Sequence, residues 1–220
     1  MKSIIFIAPP AAGKGTQSKL VSEKYNIPHI STGDLLRDVI NSGSELGRSI
    51  KAEIDKGHFV SDELILDLLK TRLNHDDCNN GYILDGFPRN LNQAIEYDKL
   101  LESLNKDTGY VILLDLDKET AKKRITGRLS CKTCGSVYNE LIEGLMPKNN
   151  NLCDKCNLEL SKRSDDNEDT FEERYNTYLK QTEPLINYYE KKGCLYRVNS
   201  GVSKERIFEE IERIIGSSKW

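Results

Sequence analysis

Short apolar runs alternate with amphipathic segments along most of the chain. The runs have the length of buried strands, and the segments between them carry apolar residues at helical spacing. This alternation predicts an α/β fold in which a mostly parallel sheet is covered by helices on both faces. The predicted strands cover residues 4–7, 82–84, 111–114 and 195–198. The predicted helices cover residues 15–25, 90–104 and 118–128, with a last helix whose apolar face carries Ile207, Phe208, Ile211, Ile214 and Ile215.

Two stretches interrupt this alternation. Residues 31–60 predict two short helices, and a further helix begins at Ser61, which is a suitable N-cap. Residues 127–164 contain turn formers and paired cysteines but little helical periodicity. Both stretches are interpreted as small insertions at the binding edge of the sheet. The predicted core then consists of residues 1–30, 61–126 and 165–220.

Composition excludes several classes of protein. Of the 220 residues, 37% are hydrophobic and 30% are charged, and the formal net charge is −3. These values are typical of a globular protein with one sizeable core. No stretch is basic enough to predict nucleic-acid binding, and no apolar segment approaches the roughly 20 residues that span a bilayer. The first apolar run is short and follows no basic region, so we expect a strand and not a signal peptide, and a cytoplasmic protein.

The stretch "APPAAGKGTQ", residues 8–17, follows the first predicted strand and opens the first predicted helix. Such a loop turns successive backbone N–H groups toward an anion, and the helix N-terminus adds partial positive charge. Gly13 and Gly15 let the backbone approach a phosphate closely. Lys14 can reach the β- and γ-phosphates, and the Thr16 hydroxyl can face a phosphate or its Mg²⁺. The alternative is an ordinary glycine turn in which the lysine and threonine stand by chance.

The loop departs from the full phosphate-loop pattern at two small residues. The pattern has glycine where this chain has Ala8, and Ala11 is a second small position. Alanine tolerates a positive φ poorly. We therefore expect both alanines to adopt ordinary φ values.

Four of the six cysteines form two C-x-x-C pairs, separated by residues 135–152. This spacing is close to that of a structural zinc ribbon, in which four thiolates surround the metal and leave no open position for catalysis. Iron is the expected substitute in the same site, and two labile disulfides or four plain thiols are the alternatives. The predicted ligands are Cys131, Cys134, Cys153 and Cys156.

Four motifs occur together: "GKGTQ" at 13–17, "STGDLLR" at 31–37, "LDGFPRN" at 84–90 and "RITGR" at 124–128. In order and approximate spacing they resemble the signature set of the adenylate kinase family, in its long bacterial-type form with a zinc-binding lid. The resemblance covers essentially the whole chain. It implies a P-loop nucleoside monophosphate kinase fold, a monophosphate-binding insert at 31–60 and a zinc lid at 127–164. It also implies the reaction Mg-ATP + AMP = 2 ADP, by in-line transfer under the closing lid.

The resemblance also implies roles for individual residues. Gln93 would read the adenine of AMP, and Asp85 would help to order Mg²⁺ through water. The residues implied to bind ATP are Ala11, Ala12, Gly13, Lys14, Gly15, Thr16, Arg124, Arg128, Val137, Tyr138 and the backbone near Val202. The residues implied to bind AMP are Thr32, Arg37, His58, Phe59, Val60, Gly86, Phe87, Pro88, Arg89, Gln93, Arg163 and Arg174. The residues implied in catalysis are Lys14, Asp85, Arg89, Arg124, Arg128, Arg163 and Arg174.

The arginines agree with this chemistry on physical grounds. Phosphoryl transfer between two anions needs fixed positive charge and the exclusion of water. The planar arginine fork binds phosphate oxygens in pairs. A general base is hardly needed, because the attacking group is already a phosphate oxygen, so catalysis is mainly positioning and charge stabilisation. Asp165 and Asp166 are implied to help set the closed position of the lid.

Two positions differ from the family pattern. Asn139 stands where the family commonly has a histidine against the donor adenine, and Ser164 stands where a lysine is common. Asparagine offers hydrogen bonds but no ring to stack on the base. We therefore expect Arg124 to hold the donor base more loosely and the preference for ATP to be less strict.

Two alternatives remain at this point. One is a UMP or CMP kinase of the same fold, although Thr32 and Gln93 favour AMP as the acceptor. The other is a zinc-ribbon binding module that is switched by a nucleotide and turns over little of it. We expect small-molecule partners, ATP and AMP, and a monomer.

Overall fold

A parallel sheet forms the centre of the computed structural model, which describes residues 2–55, 60–149, 151–162 and 166–216. Its strands are β1 (Lys2–Ile7), β2 (His29–Ser31), β3 (Tyr82–Asp85), β4 (Asp107–Asp115) and β7 (Leu195–Asn199). They lie side by side in the order β2-β3-β1-β4-β7, and all four pairings between neighbours are parallel. The predicted parallel sheet is therefore confirmed.

Helices cover both faces of this sheet, as the alternating pattern predicts. The helices of the described residues are α1 (Lys14–Tyr25), α2 (Thr32–Asn41), α3 (Glu45–Asp55), α4 (Asp62–Leu73), α5 (Leu91–Ser103), α6 (Lys118–Thr126), α7 (Glu168–Thr177), α8 (Glu183–Lys191) and α9 (Lys204–Gly216). A 3₁₀ turn spans Asp76–Asn80, and a π-helical turn, Tyr178–Thr182, joins α7 to α8.

The apolar run of β1 divides the core into two layers. Ile4 and Phe6 face the layer formed with α1, α6 and α9, whereas Ile5 and Ile7 face the layer formed with α4, α5 and α8. Side chains that alternate along a strand point to opposite faces, so a strand buried on both sides must be apolar at every position. This burial fixes the carboxyl end of β1, where the phosphate loop begins.

Helix starts agree with the expected capping chemistry. The Ser61 hydroxyl accepts a hydrogen bond from the backbone N–H of Leu64 at 3.3 Å, as expected for an N-cap. Asn90 caps α5 in the same way through the N–H of Gln93, at 2.9 Å. Both caps set the direction of helices that border the binding edge.

Two details differ from the prediction. The helix predicted at 118–128 ends at Thr126, and Arg128 begins a strand, because Gly127 closes the helix and the chain turns into the second insertion. The region from 168 to 191 is helical, although the pattern gave no helix there. The available signal was Asn167, whose side chain caps α7 by accepting from the N–H of Thr170 at 2.9 Å.

The second insertion has its own small sheet and core. Strand β5 (Arg128–Ser130) pairs antiparallel with β6 (Val137–Asn139). An isolated bridge joins Ser130 to Ser161. We call residues 127–164 the lid. Among the described residues, no helix combines the length and the apolar character needed to cross a membrane.

Candidate active site

The phosphate loop lies between the end of β1 and the start of α1. Gly13 has a φ of +87° and precedes the first residue of α1. A Cβ built on Gly13 or on Gly15 would meet no heavy atom within 4 Å, so the space beside both glycines is open. The exposed Thr16 lies in the first turn of α1. This arrangement leaves room for a phosphate against the helix N-terminus.

The expectation for Ala11 is wrong. Its φ is +63°, in the left-handed region, whereas Ala8 is absent from the described residues that have a positive φ. A concave nest of N–H groups needs left-handed residues between right-handed ones, and Ala11 and Gly13 both supply that conformation. The left-handed region costs an alanine roughly 1–2 kcal/mol. The neighbouring Ala12 is 1% exposed, so the loop is anchored in the core.

Lys14 and Asp85 form the centre of the site. Lys14 Nζ lies 2.6 Å from Asp85 Oδ1, and His29 Nε2 lies 3.1 Å from Asp85 Oδ2. Burial alone would raise the pKa of Asp85, but the hydrogen bond from His29 and the charge of Lys14 outweigh it and hold that pKa well below its ordinary value. Asp85 is therefore an anion at neutral pH.

The sequence did not identify His29 as a site residue. It is the first residue of β2. Ser31 pairs in register with Asp85, so His29 lies two residues before the neighbour of that aspartate on the adjacent strand. The pairing of two strands from different parts of the chain is what brings the imidazole to the carboxylate.

The segment after β3 brings together three of the residues implied to bind AMP. The buried Thr32 hydroxyl donates to the Gly86 carbonyl at 3.5 Å, and Arg89 Nε donates to the same carbonyl at 2.7 Å. A Cβ on Gly86 would lie 3.3 Å from an Arg89 nitrogen and 3.4 Å from the Thr32 hydroxyl. Glycine is thus needed for this close approach, and φ at Gly86 is also positive, at +78°.

Gln93 lies beside this segment and is 7% exposed. Its Oε1 accepts a hydrogen bond from the backbone N–H of Arg89 at 2.7 Å, and its Nε2 donates to Asp62 Oδ1 at 2.6 Å. Asp62, in the first turn of α4, is not among the site residues predicted from the sequence. Its contact joins α4 to α5 at the binding edge.

Other residues of the implied AMP site are more scattered. Arg37 is exposed on α2 and pairs with Asp34. Phe87 is 2% exposed and packs edge-on against Tyr97, with the ring centroids 5.9 Å apart, so its ring belongs to the core and not to the open edge. Pro88 is buried, and Val60 is half-buried just before α4. His58 and Phe59 lie outside the described residues.

Arg124 lies beside the phosphate loop. It stands in the last turn of α6, and its Nη1 lies 3.5 Å from the carbonyl oxygen of Ala11. Burial lowers the pKa of the guanidinium, while Asp117 opposes the shift. The contact attaches the end of α6 to the loop that must receive phosphate.

Asn139 does not face an open base site. It is 3% exposed, and its Nδ2 donates to the carbonyls of Lys123 and Arg124 at 3.2 and 3.1 Å. Its Oδ1 accepts from the N–H of Leu141 at 2.8 Å. A Cβ at Gly127 would collide with that oxygen. The amide thus closes the carboxyl end of α6 and joins it to β6, which is a role that the sequence did not indicate.

Arg128 pairs with a carboxylate in this structure. Its Nε donates to Asp166 Oδ2 at 2.8 Å, and its Nη2 pairs with the other carboxylate oxygen. Asp166 is 8% exposed, so the pair is largely shielded from water. A bidentate, buried pair of this kind fixes β5 against the return of the chain into α7.

The other described residues implied in nucleotide binding lie in the lid, in the core layer of α9 and on α7. The Tyr138 hydroxyl lies 3.5 Å from Cys153 Sγ and accepts from the N–H of Asp154 at 2.9 Å, so this ring faces the cysteines. Val137 is 55% exposed on the lid. Val202 packs against the core layer of α9, and Arg174 lies on α7. Arg163, Ser164 and Asp165 lie outside the described residues.

The four predicted cysteine ligands converge in the lid. Their sulfur atoms all lie within 4.8 Å of one another, and all four are free thiols. Hydrogen bonding to Ser136 lowers the pKa of Cys134 to about 6, whereas hydrogen bonding to Cys134 raises the pKa of Cys156 to about 12, so the thiolate forms first at Cys134. Four sulfurs about 2.3 Å from a common centre would lie about 3.8 Å apart, so the cluster fits a tetrahedral zinc ion.

Comparison with known proteins agrees with the site. The profile of the adenylate kinase family matches residues 6–194. An adenylate kinase of Archaeoglobus fulgidus is 49% identical over 217 residues, which cover 99% of each chain. Adenylate kinases of Thermotoga neapolitana and Clostridium tetani are each 44% identical, over 219 and 215 residues, and cover 99% and 98% of this chain and 99% of their own length. The chain therefore belongs to the adenylate kinase family.

Proposed function

We infer that the carboxyl edge of the sheet around Lys14 and Asp85 is where this enzyme moves a phosphoryl group between nucleotides. As an adenylate kinase it catalyses reversible transfer from Mg-bound ATP to AMP, which gives two molecules of ADP. The observation that carries this location is the 2.6 Å contact between Lys14 and Asp85. The contact joins the phosphate loop to the segment of Gly86 and Arg89, so that donor and acceptor sites adjoin.

The donor phosphates bind over the phosphate loop. Backbone N–H groups from Ala11 to Thr16 and the N-terminus of α1 hold the phosphate oxygens. Lys14 exchanges its carboxylate partner for the β- and γ-phosphates when ATP arrives. Asp85, freed of the ammonium and still ionised, orients the water around the Mg²⁺ that ATP carries. The open space at Gly13 and Gly15 supports this placement.

AMP binds on the other side of Asp85. The guanidinium of Arg89 exchanges the Gly86 carbonyl for the AMP phosphate, while Thr32 and Arg37 hold the nucleotide from α2. Gln93 contacts the adenine edge. The AMP phosphate oxygen attacks the terminal phosphorus in line, and the bond to the ADP oxygen breaks on the opposite side. No proton has to be removed from the attacking oxygen.

Further arginines neutralise charge on the transferred group. Arg124 already lies beside the phosphate loop, whereas Arg128 is held by Asp166. We assign Arg163 and Arg174 to the bridge between the transferred phosphate and AMP, and Asp165 with Asp166 to the lid position. Fixed guanidinium groups in a site closed to water stabilise developing charge better than water does.

Cys131, Cys134, Cys153 and Cys156 would hold a structural zinc ion in the lid. Four protein ligands leave no position for substrate, so the ion supplies folding free energy and takes no part in the transfer. Reduced, paired cysteines also support the cytoplasm as the compartment of the protein.

Opening and closing of the lid and of the insert at 31–60 limit the rate of turnover in this proposal. A rate that depends on solvent viscosity supports the proposal. A rate that is unchanged by viscosity and by substitutions at the joint between α6 and the lid contradicts it.

The test of the function is ADP formation from Mg-ATP with AMP, CMP and UMP offered separately. Fast turnover with AMP alone is the expected result, and it would also show that Ala11 does not disable the loop. Faster turnover with CMP or UMP would contradict the assignment of Thr32 and Gln93. The absence of turnover with every acceptor, from folded protein that contains zinc, would contradict the function itself.

A further inference from the structure

The side-chain amide of Gln93 is held in one direction. Its two ends meet unlike partners, since Nε2 lies 2.6 Å from Asp62 Oδ1 and Oε1 lies 2.7 Å from the backbone nitrogen of Arg89. A carboxylate only accepts hydrogen bonds, and a backbone N–H only donates them. If the amide turned over, acceptor would face acceptor and donor would face donor.

Both partners are themselves held by the fold. Asp62 lies in the first turn of α4, directly after the N-cap Ser61. The carbonyl of Arg89 accepts from the Thr182 hydroxyl at 3.1 Å, which fixes the backbone next to the cap of α5. The bond to Asp62 involves a charge and is therefore the stronger of the two.

An amide has two hydrogens and two lone pairs. The bonds to Asp62 and Arg89 use one of each, so one N–H and one lone pair remain for a base. Adenine offers a ring-nitrogen acceptor beside an amino donor, and cytosine has the same order. Guanine and uracil offer a ring N–H donor beside a carbonyl acceptor, which is the reverse order. An amide that turns freely can pair with either order, whereas a fixed amide pairs with only one.

We propose that Asp62 is a specificity-determining residue: by fixing the direction of the Gln93 amide, it selects the base of the acceptor nucleotide by hydrogen-bond order. This inference rests on the proposed function, in which Gln93 contacts the base of AMP. Asp62 is a positioning residue in this role, because it acts through Gln93. The size of the pocket then separates adenine from cytosine, and the amide separates adenine from guanine.

The experiment measures kcat and KM with Mg-ATP and each of AMP, GMP, CMP and UMP. In Asp62→Asn an amide that can donate replaces the acceptor-only carboxylate, so Gln93 can turn at lower cost. The ratio of kcat/KM for AMP over GMP should fall about tenfold, the size expected for one charged hydrogen bond. The ratio for CMP over UMP should fall as well. The change should lie in KM, because base contacts are remote from the transferred phosphate.

Glu63→Gln is the matched control. It removes the neighbouring charge from the same helical turn, and Glu63 is exposed there. We expect wild-type ratios in this variant. If the substitution merely loosened the pocket, kcat/KM would change for all four acceptors, whatever the hydrogen-bond order of the base. Acceptors that react too slowly can be compared by their dissociation constants from calorimetric titration.

The outcomes separate this inference from the function on which it rests. Wild-type protein without AMP turnover would contradict the proposed function. Wild-type AMP turnover together with unchanged AMP-to-GMP and CMP-to-UMP ratios in Asp62→Asn would overturn the role of Asp62. If Asp62→Asn does not fold, Asp62→Ala removes the acceptor without adding a donor, and the same two ratios decide.

Discussion

The acceptor side of the cleft and the lid hold their side chains by different means. Thr32 and Gln93 stand at the edge of a core layer that includes β3 and α5, where many apolar side chains are buried. The buried cluster of the lid consists of Leu129, Cys131, Cys153 and Leu160. Half of that cluster is cysteine. A region of this size rarely stabilises itself by apolar burial alone, so we expect the proposed zinc ion to supply much of the stability of the lid.

The two regions should therefore differ in how freely they can move. Gln93 is held against a large buried layer of the core, so we expect its position to depend little on the lid. The lid has a small buried cluster of its own, and the pair between Arg128 and Asp166 is one of its described contacts with the core. A small body that is rigid inside and weakly attached outside can move as a unit. The predictions below test that separation.

The largest effect should follow Lys14→Met. Loss of the ammonium removes a contact to the transferred phosphate, and activity should fall about 10²–10³-fold. The melting temperature should change little, since the lysine side chain is partly exposed. Lys19→Met, on the same helix and 75% exposed, is the control that should keep its activity. A small loss of activity in Lys14→Met would mean that phosphoryl transfer does not take place at the phosphate loop.

Removal of the metal should have the next largest effect. In calorimetry of the chelated protein, the lid should unfold before the core. The first unfolding transition should lie about 5–10 °C below that of the metal-loaded protein. The rate at low temperature should change by a smaller proportion, because the ion takes no part in the transfer. Cys153→Ser should behave like the chelated protein. Metal-free protein from a reducing, chelator-free purification would contradict the zinc assignment.

Asn139→Ala should weaken the joint between α6 and the lid. It leaves two carbonyls and one N–H without their side-chain partner, at a cost of about 1–3 kcal/mol. Hydrogen exchange should accelerate at residues 124–141 and stay unchanged in β1 and β3. Glu143→Ala, at an exposed position of the lid, is the control. If hydrogen exchange accelerated equally across the central sheet, the lid and the core would unfold together and not independently.

Ala11→Gly should have the smallest effect. Glycine relieves the left-handed strain of about 1–2 kcal/mol but gives the unfolded chain more freedom, worth about 0.5–1 kcal/mol. Urea denaturation should therefore show a net gain of about 0–1.5 kcal/mol, with KM for ATP near that of the wild type. Destabilisation would show that the methyl group, which packs against the core, contributes more than the strain costs.

Some of this organisation could be predicted from the sequence, and the reasons differ by region. Residues 4–7 of β1 are all apolar, so the burial of this part of the strand on both faces can be predicted from the sequence. The two C-x-x-C pairs predict the cluster of four cysteines, because each pair forms its own local turn. Lys14 belongs to the motif that follows β1, and Gly86 and Arg89 belong to the motif that follows β3. Their position at the carboxyl edge of the sheet can therefore be predicted from the strands that precede them.

The contacts that the sequence did not indicate are tertiary. Gln93 meets Asp62 across 31 positions, and Arg128 meets Asp166 across 38 positions. Each side chain alone reads as a solvated polar group, and only the packing of helices or strands brings the partners together. The left-handed φ of Ala11 is a different case, because the needs of the loop override the local preference of the residue.

The order β2-β3-β1-β4-β7 has a consequence for how new activities can arise on this scaffold. In the proposed function, the acceptor residues lie on the side of β3 and β2, whereas Arg124 and Val202 follow β4 and β7 on the other side of the central β1. Lys14 and Asp85 lie where the two proposed halves meet. Substitutions that retune the acceptor therefore fall on one flank, and those that retune the donor fall on the other. Directed evolution can explore each flank separately and combine the results, since distant sites add nearly independently.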